Sequence, residues 1–255
     1  MNVLVCIKRV PDSSGHVLLT PDEQAIDGRY VGFTVSAHEE CAVELAIQTA
    51  TATGGQATVL TLGSAEAVEQ LRGALALGCA AAIHIEGKPS RFGPADVARE
   101  IASVVKDHQA NSTSYDLILL GNDAADSGDF QVGVRLSYEL RRPIVNGVAT
   151  VAFDGDQIRA EVAGPEGHES YLVPAPAVVT VLEGGVEPRY PTIPGRMKAK
   201  KVEIERRQPT APPVGPKRVK LTLPPKQASN VQILGEGPSA AIAVVDLFGQ
   251  LGVRR

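Results

Sequence analysis

A polar loop in the middle of the chain carries the residue types best suited to hold an anion. Residues 121–133 read GNDAADSGDFQVG; an apolar run precedes them and a helical pattern follows. Backbone N–H groups at a helix start attract phosphates, and small residues allow a phosphate to come close. The loop is therefore a candidate phosphate site, with donors from Ser127, Gly128 and the N–H groups of Phe130, Gln131 and Val132.

Three aspartates in this loop weaken that interpretation, because carboxylates repel a phosphate unless they point away from it. Asp126 and Asp129 are suited either to cap the following helix or to bond a ribose. The loop has neither a GxGxxG pattern nor a Walker lysine. The residues alone leave two interpretations open, a nucleotide phosphate site and a capped helix without a ligand.

A second segment is suited to binding a protein. Residues 187–201 read EPRYPTIPGRMKAKK, and three prolines within eight residues predict a loop, since proline lacks the N–H that a helix or central strand needs. Tyr190, Ile193 and Met197 lie there among several cations. Apolar side chains on a stiff, basic loop are typical of a partner-binding surface. A solvated loop whose cations only maintain solubility is the alternative.

The sequence gives no support for a catalytic or metal centre. Cys6, Cys41 and Cys79 have no CxxC spacing, so we expect three reduced, buried thiols without a disulfide. No histidine pair has metal-ligand spacing, and nothing brings a serine, a histidine and an aspartate together as a triad. The scattered histidines are His16, His38, His84, His108 and His168.

Composition limits the remaining possibilities. The chain has 255 residues, 44% of them hydrophobic, and a net charge of −4, which argues against general nucleic-acid binding. No apolar run approaches the roughly 20 residues of a membrane helix. We therefore expect no membrane insertion, and a location in the bacterial cytoplasm, or in the mitochondrial matrix if a transit peptide has been removed.

The first half alternates strand-like and helical patterns, which predicts an α/β fold with a doubly wound, mostly parallel sheet. Such sheets bind ligands at the carboxyl ends of their strands. Those ends fall at residues 8–12, 62–65 and 121–131. The predicted strands are 2–8, 56–62, 81–85 and 116–120, and the predicted helices are 39–51, 65–77, 94–106 and 131–140.

From about residue 148 the pattern changes. Strands at 150–153 and 158–162 around a turn at 154–156 predict a hairpin, and further strands follow at 170–173 and 177–182. Proline-rich residues 208–225 predict an extended arm, and 238–251 predict an amphipathic terminal helix. We therefore divide the chain into a nucleotide-binding domain, 1–207, with an insertion at 149–175 and a recognition loop at 183–201, and an arm with helix, 208–255, that docks on a partner subunit.

Together these residues resemble the beta subunit of electron-transfer flavoproteins over nearly the whole chain. The segment EPRYPTIPGRMKAKK at 187–201 is the specific match. Weaker matches are VLVCIKRVPD at 3–12, ECAVELA at 40–46, LRGALALG at 71–78 and DLILLGNDAAD at 116–126.

The resemblance implies an electron carrier rather than an enzyme. A beta subunit of this family pairs with an alpha subunit that holds most of the redox FAD, and the pair carries electrons from flavin dehydrogenases to a quinone oxidoreductase or another redox partner. The beta subunit itself binds AMP, or a second FAD in bifurcating members that react with NADH. A flavin-free AMP- or ATP-binding module of the stress type is the remaining alternative, although its usual glycine-rich phosphate loop is absent.

The resemblance also implies site residues. It assigns the adenine nucleotide to Cys6, Ser36, Ala37, His38, Glu39, Leu62, Gly63, Gly121, Asp126, Ser127, Gly128, Asp129, Phe130, Gln131 and Val132. It assigns partner docking to Glu187, Arg189, Tyr190, Ile193, Met197, Lys198, Lys200 and Lys201, with Ile193 as the apolar anchor and the lysines steering acidic partners.

Two departures from the family pattern bear on the nucleotide. Ser36, Ala37 and His38 stand where the family usually has Asn-Pro-Phe or Asn-Pro-Tyr. The loop ending FQVG is closer to the bifurcating group, but Phe130 is bulky where that group has a small residue. Because this ring would crowd a second FAD, the sequence favours AMP.

Overall fold

The computed structural model describes residues 1–12, 17–154, 157–165, 167–215, 219–225 and 231–253. It divides into two units, Met1–Leu221 and Thr222–Arg255. Residues 208–221 of the predicted arm are thus counted with the first unit. Gly155 and Asp156 of the predicted hairpin turn lie outside the described residues.

The first unit contains all eleven strands of the described chain and five of its α-helices. The strands are β1 (Val3–Cys6), β2 (Val10–Pro11), β3 (Phe33–Thr34), β4 (Ala57–Gly63), β5 (Ala81–Glu86), β6 (Leu117–Gly121), β7 (Ile144–Asp154), β8 (Gln157–Gly164), β9 (Gly167–Pro174), β10 (Ala177–Val181) and β11 (Ile204–Arg207). The helices are α1 (Ala37–Thr53), α2 (Val68–Leu77), α3 (Pro94–Ala110), α4 (Val132–Leu140) and α5 (Ile193–Lys201). The second unit contains α6 (Ala240–Gln250).

Nine strands form the main sheet in the order β11-β5-β4-β1-β6-β10-β7-β8-β9. Every pair from β11 to β7 is parallel, whereas β8 and β9 pair antiparallel and extend one edge. The predicted α/β class and mostly parallel sheet are therefore confirmed. β2 and β3 form a separate two-stranded pair that the sequence patterns did not predict.

Side chains of the central strands alternate between two apolar cores, as the two-residue period of a strand requires. Val3 and Val5 of β1 face the core that includes α1 and α2. Leu4 and Cys6 face the opposite core, where α3 packs. Helices thus cover both faces of the sheet, and its central strands are buried on both sides.

The chain order creates a crevice beside β1. The path from β1 through β4 to β5 moves outward in one direction, and the chain then crosses by α3 to β6 on the other side of β1. Parallel neighbours whose connections run in opposite directions leave a gap at their carboxyl ends, which is where such sheets bind ligands. Residues 122–131, which follow β6, lie over this gap.

Candidate functional site

A cavity of about 120 Å³, here called the inner cavity, lies at the carboxyl ends of β1, β4 and β6. Leu60, Leu62 and Leu120 line its strand side, and Phe92 and Val97 line it from the start of α3. A pocket with mainly apolar walls and a few polar groups is typical of small-molecule sites. These walls suit a flat ring such as a purine base.

A larger outer groove of about 690 Å³ shares Lys8, Leu62 and Ser127 with the inner cavity. Arg9 and Arg135 also line it. The Arg9 guanidinium carbon lies 3.5 Å from the centroid of the Phe33 ring. Its buried Nε has no hydrogen-bond partner among the described residues. The three cations of this groove exceed its two acids, Asp126 and Asp129, by one, which suits the anionic part of a ligand.

The loop after β6 forms a tight turn that ends in free donors. The N–H groups of Ser127 and Gly128 donate to the Ala124 carbonyl at 3.1 and 2.8 Å. Gly128 and Phe130 both have positive φ, 57° and 54°. Within the described part of the chain, no backbone oxygen accepts from the N–H groups of Phe130, Gln131 or Val132. The predicted donors at the start of α4 are therefore available to an anion, whereas the N–H groups of Ser127 and Gly128 are used by the turn.

Two of the three loop aspartates contact basic side chains. Asp126 Oδ1 lies 2.6 Å from Lys8 Nζ, and Asp123 Oδ1 lies 2.8 Å from His38 Nδ1. Asp126 thus forms an ion pair with Lys8, which follows the carboxyl end of β1. Asp129 lines both the inner cavity and the outer groove. The pairing of Asp126 with Lys8 reduces the repulsion that a phosphate would meet.

Glu39 is a buried acid on the wall of the inner cavity. Its Oε2 accepts from the Ser36 N–H at 3.1 Å and from the Ser36 hydroxyl at 2.9 Å. Burial raises the pKa of Glu39 to about 7, and the contacts with Ser36 and Lys8 oppose that rise. A Cβ at Gly121 would lie 2.7 Å from Glu39 Cγ, so only glycine lets β6 end this close to α1.

The structure brings most of the predicted nucleotide residues together. Those that line the inner cavity are Cys6, Glu39, Leu62, Gly121, Ser127, Asp129, Phe130, Gln131 and Val132. Gly63 and Asp126 line the outer groove. Ser36, Ala37, His38 and Gly128 line neither; Ser36 contacts Glu39, His38 contacts Asp123, and Gly128 lies in the turn.

Sequence reasoning missed the opposite wall of the site. Phe92, Val97 and Ile101 come from the start of α3 and the segment before it. The signal was available, because a helix that follows a parallel strand begins at the carboxyl edge of the sheet. Arg9 and Arg135 were also missed; Arg9 lies in the strand end predicted at 8–12.

The docking segment, residues 187–201, is not entirely a loop as the prolines predicted. Ile193–Lys201 is helix α5, and Thr192 caps it by accepting from the Gly195 N–H at 3.1 Å. Pro194 is compatible with this helix because it lies in the first turn, where an N–H has no intrahelical acceptor. The prediction was wrong because it counted prolines without considering their position.

Most of the predicted docking residues are exposed on this segment. Ile193 is 80% and Tyr190 89% exposed, and Met197 is also exposed. Glu187, Lys198, Lys200 and Lys201 face solvent. Arg189 is also exposed, but its guanidinium is bonded to Glu44 of α1 at 2.7 and 2.8 Å.

No metal or disulfide site is found in the described part of the chain. Cys6, Cys41 and Cys79 are buried, as predicted, and each has a free thiol. No group of three or more His, Cys, Asp or Glu residues there is placed to bind a metal ion. Among the described helices, none is long and apolar enough to cross a membrane.

Comparison with known proteins gives matches over most of the chain. A family model described as the electron transfer flavoprotein domain matches residues 26–212. The chain is 31% identical to the electron transfer flavoprotein subunit beta of Bacillus subtilis, over 97% of each chain. It is 34% identical to the Homo sapiens protein of the same name, over 80% of each chain. It is 29% identical to the acryloyl-CoA reductase electron transfer subunit gamma of Anaerotignum propionicum, over 78% of this chain and 74% of that one.

Proposed function

The chain belongs to the electron transfer flavoprotein family, as a beta-type subunit that takes part in electron transfer, and from that membership we propose that it pairs with an alpha subunit and helps to enclose the FAD that subunit holds. The pair then carries electrons from flavin dehydrogenases to a quinone oxidoreductase or another redox partner. In this role the chain supplies binding surfaces, and the flavin supplies the redox chemistry.

The nucleotide of this chain is proposed to be AMP. The free N–H groups of Phe130, Gln131 and Val132 at the start of α4 carry this proposal, because they lie beside an apolar cavity suited to a purine. The base would occupy the inner cavity, and the phosphate would accept from the loop. Arg9 supplies positive charge on the same side, where Lys8 is paired with Asp126.

The size of the outer groove supports a second candidate, a bifurcating beta subunit with FAD in place of AMP. The groove continues from the inner cavity, and its three cations exceed its two acids by one, which suits an anionic ligand longer than a mononucleotide. Phe130, at 58% exposure, lines the inner cavity but not the outer groove. Its ring therefore opposes a second FAD less strongly than the sequence suggested.

The bound nucleotides decide between these candidates. We would co-express the chain with its alpha subunit, purify the heterodimer, release its nucleotides by denaturation and quantify them by chromatography. One FAD and one AMP per heterodimer would support the simple electron carrier. Two FAD without AMP would support the bifurcating candidate, and an absence of flavin would leave only an adenine-nucleotide module.

We further propose that Ile193 is the apolar anchor for the flavin dehydrogenase. A largely exposed β-branched side chain at the start of a fixed helix loses little entropy on entering a partner's pocket. Ile193→Ala is expected to leave the melting temperature and the flavin content unchanged and to slow reduction by the dehydrogenase about tenfold, as for a side chain at the centre of an interface. Lys106→Ala, on the distant helix α3, is the control. Unchanged kinetics in Ile193→Ala would contradict the docking role.

A further inference from the structure

The docking segment is fastened at its start by a buried acid of α1. Glu44 is 4% exposed. Its carboxylate accepts from Arg189 three times, from the backbone N–H at 3.2 Å, from Nε at 2.7 Å and from Nη2 at 2.8 Å. Gln48 Nε2 donates to the same carboxylate at 2.7 Å and fixes its orientation. A two-pronged guanidinium contact of this kind defines geometry as well as charge.

The other end of the segment is fastened by α2. Arg72 Nη1 donates to the carbonyls of Ala199 and Val202, where α5 ends and its last carbonyls have no intrahelical partner. A Cβ at Gly195 would lie 2.4 Å from the Ala76 carbonyl oxygen, so the first turn of α5 rests directly on the end of α2. The segment is therefore held at its start, at its first helical turn and at its end.

The apolar side chains lie on the free side of this fixed segment. Tyr190, Ile193 and Met197 are exposed, while Ala199 is buried against the protein. Ordering a loop during binding costs free energy, so a segment that is already ordered binds more tightly. The fastening side chains can therefore affect affinity without touching a partner.

We propose that Glu44 is a positioning residue for electron transfer, which acts through Arg189 to keep residues 187–201 ordered for the flavin dehydrogenase. The proposal rests on the docking role of Ile193 proposed above. It makes Arg189 an internal support rather than a contact of the partner. The side chain of Glu44 itself is buried and does not reach the docking surface.

The test is Glu44→Gln in the purified heterodimer, with Glu40→Gln as the matched control. Glu40 lies one turn earlier on α1, is exposed and undergoes the same change of charge. With a flavin dehydrogenase as electron donor and the heterodimer as varied substrate, we expect Glu44→Gln to raise KM about tenfold with kcat unchanged, since ordering costs appear in affinity. Hydrogen exchange of residues 193–201 should become faster, and exchange in β1 and β6 should not. Unchanged KM would overturn the proposal.

Two further variants distinguish the positioning role of Glu44 from the docking role of Ile193, on which it rests. If Ile193→Ala raises KM and Glu44→Gln does not, only the positioning role is wrong. If Ile193→Ala leaves KM unchanged, the docking role is wrong and the positioning role with it. In the double variant the two effects should be less than additive, because both act on one contact. Should Glu44→Gln not yield folded heterodimer, Arg189→Gln removes both guanidinium bonds to Glu44 from the exposed side and leaves only the bond from the backbone N–H.

Discussion

At the scale of single residues, folding changes the charge that Glu39 carries near neutral pH. Its pKa is about 7 in the folded chain against an ordinary value of 4.5. Below pH 4.5 the acid is protonated in both the folded and unfolded states, so it does not lower the free energy of unfolding. As the pH rises from 4.5 to about 7, the unfolded chain loses the proton first, so stability falls by about 1.4 kcal/mol per pH unit. Above pH 7 the free energy of unfolding falls no further, and the total loss is about 3 kcal/mol.

Glu39→Gln should therefore stabilise the protein at pH 8 and have little effect at pH 5. Glutamine keeps the size of the side chain and an oxygen that accepts from Ser36, but it cannot ionise. Urea denaturation of the wild type and the variant at both pH values measures the effect. Glu139→Gln, which changes an exposed carboxylate on α4, is the control and should show no such difference. An equal effect of Glu39→Gln at pH 5 and pH 8 would show that Glu39 does not titrate as described.

Gly128 allows a test of charge at the nucleotide loop that is independent of backbone strain. Its φ of 57° is tolerated by asparagine and aspartate better than by most residues. Gly128→Asp and Gly128→Asn have the same shape and strain, but only the first adds a negative charge. We expect Gly128→Asp to retain about tenfold less AMP than Gly128→Asn, for one like charge near the phosphate. Chromatography of released nucleotide measures this, and equal retention would place the phosphate elsewhere.

The candidate nucleotide site was only partly predictable from the sequence at this scale. Residues 121–133 stood out because small and polar residues follow a buried strand. The partners of their aspartates did not stand out, since Lys8 and Asp126 are 118 positions apart. The wall formed by Phe92 and Val97 was missed because an apolar residue that lines a cavity has the same pattern as one in a core.

At the scale of elements, α3 holds part of the proline-rich arm with two buried acids. Asp96 accepts from the N–H groups of Val214 and Gly215 at 3.0 and 2.9 Å. Glu100 accepts from the N–H and the hydroxyl of Thr210 at 2.6 and 2.9 Å. The N–H groups of the extended residues after β11 therefore donate to carboxylates of α3. They do not pair with a strand, because a proline-rich chain cannot join the sheet.

Asp96→Asn should loosen this contact and remove an acid-sensitive contribution to stability. Burial alone would raise the pKa of Asp96, but hydrogen bonds from Val214, Gly215, Arg99 and Gly93 lower it to about 2, below its ordinary 3.8. Its contribution is therefore complete above pH 3.8 and is lost as the pH falls toward 2.

At pH 7 we expect Asp96→Asn to cost about 2 kcal/mol in urea denaturation, as for a charged acceptor removed from buried donors. Amide exchange at Val214 and Gly215 should accelerate with it. Asp107→Asn, an exposed acid on the same helix with one surface ion pair to Arg207, should cost much less. A similar loss in both variants would mean that the arm contact contributes nothing specific.

Element prediction succeeded where the periodicity was strong and failed where an element depends on tertiary contacts. The strands β1, β4, β5 and β6 and the helices between them follow from apolar runs and capping residues. The strand β11 was missed because its sequence IERR is mostly charged, and it forms by pairing with β5 at the sheet edge. The helix α5 was missed because its first turn depends on the Thr192 cap and on contact with α2.

At the scale of the whole molecule, the terminal helix α6 carries an exposed apolar stripe. Ile242, Val245 and Phe248 recur at three-residue spacing and are all exposed. No residue of this helix is buried. An exposed apolar stripe of this kind is typical of an interaction surface. If the chain pairs with an alpha subunit as proposed above, we expect that subunit to cover the stripe.

A charge on this stripe should therefore weaken the heterodimer. Val245→Asp removes apolar surface and adds a carboxylate that would be buried without a partner, so we expect the dissociation constant for the alpha subunit to rise at least about tenfold. Titration calorimetry of the chain with purified alpha subunit measures it. Gln250→Asp places the same charge at an exposed position away from the stripe and should have little effect. If both variants bind the alpha subunit as the wild type does, α6 serves another partner, and the heterodimer forms through the first unit alone.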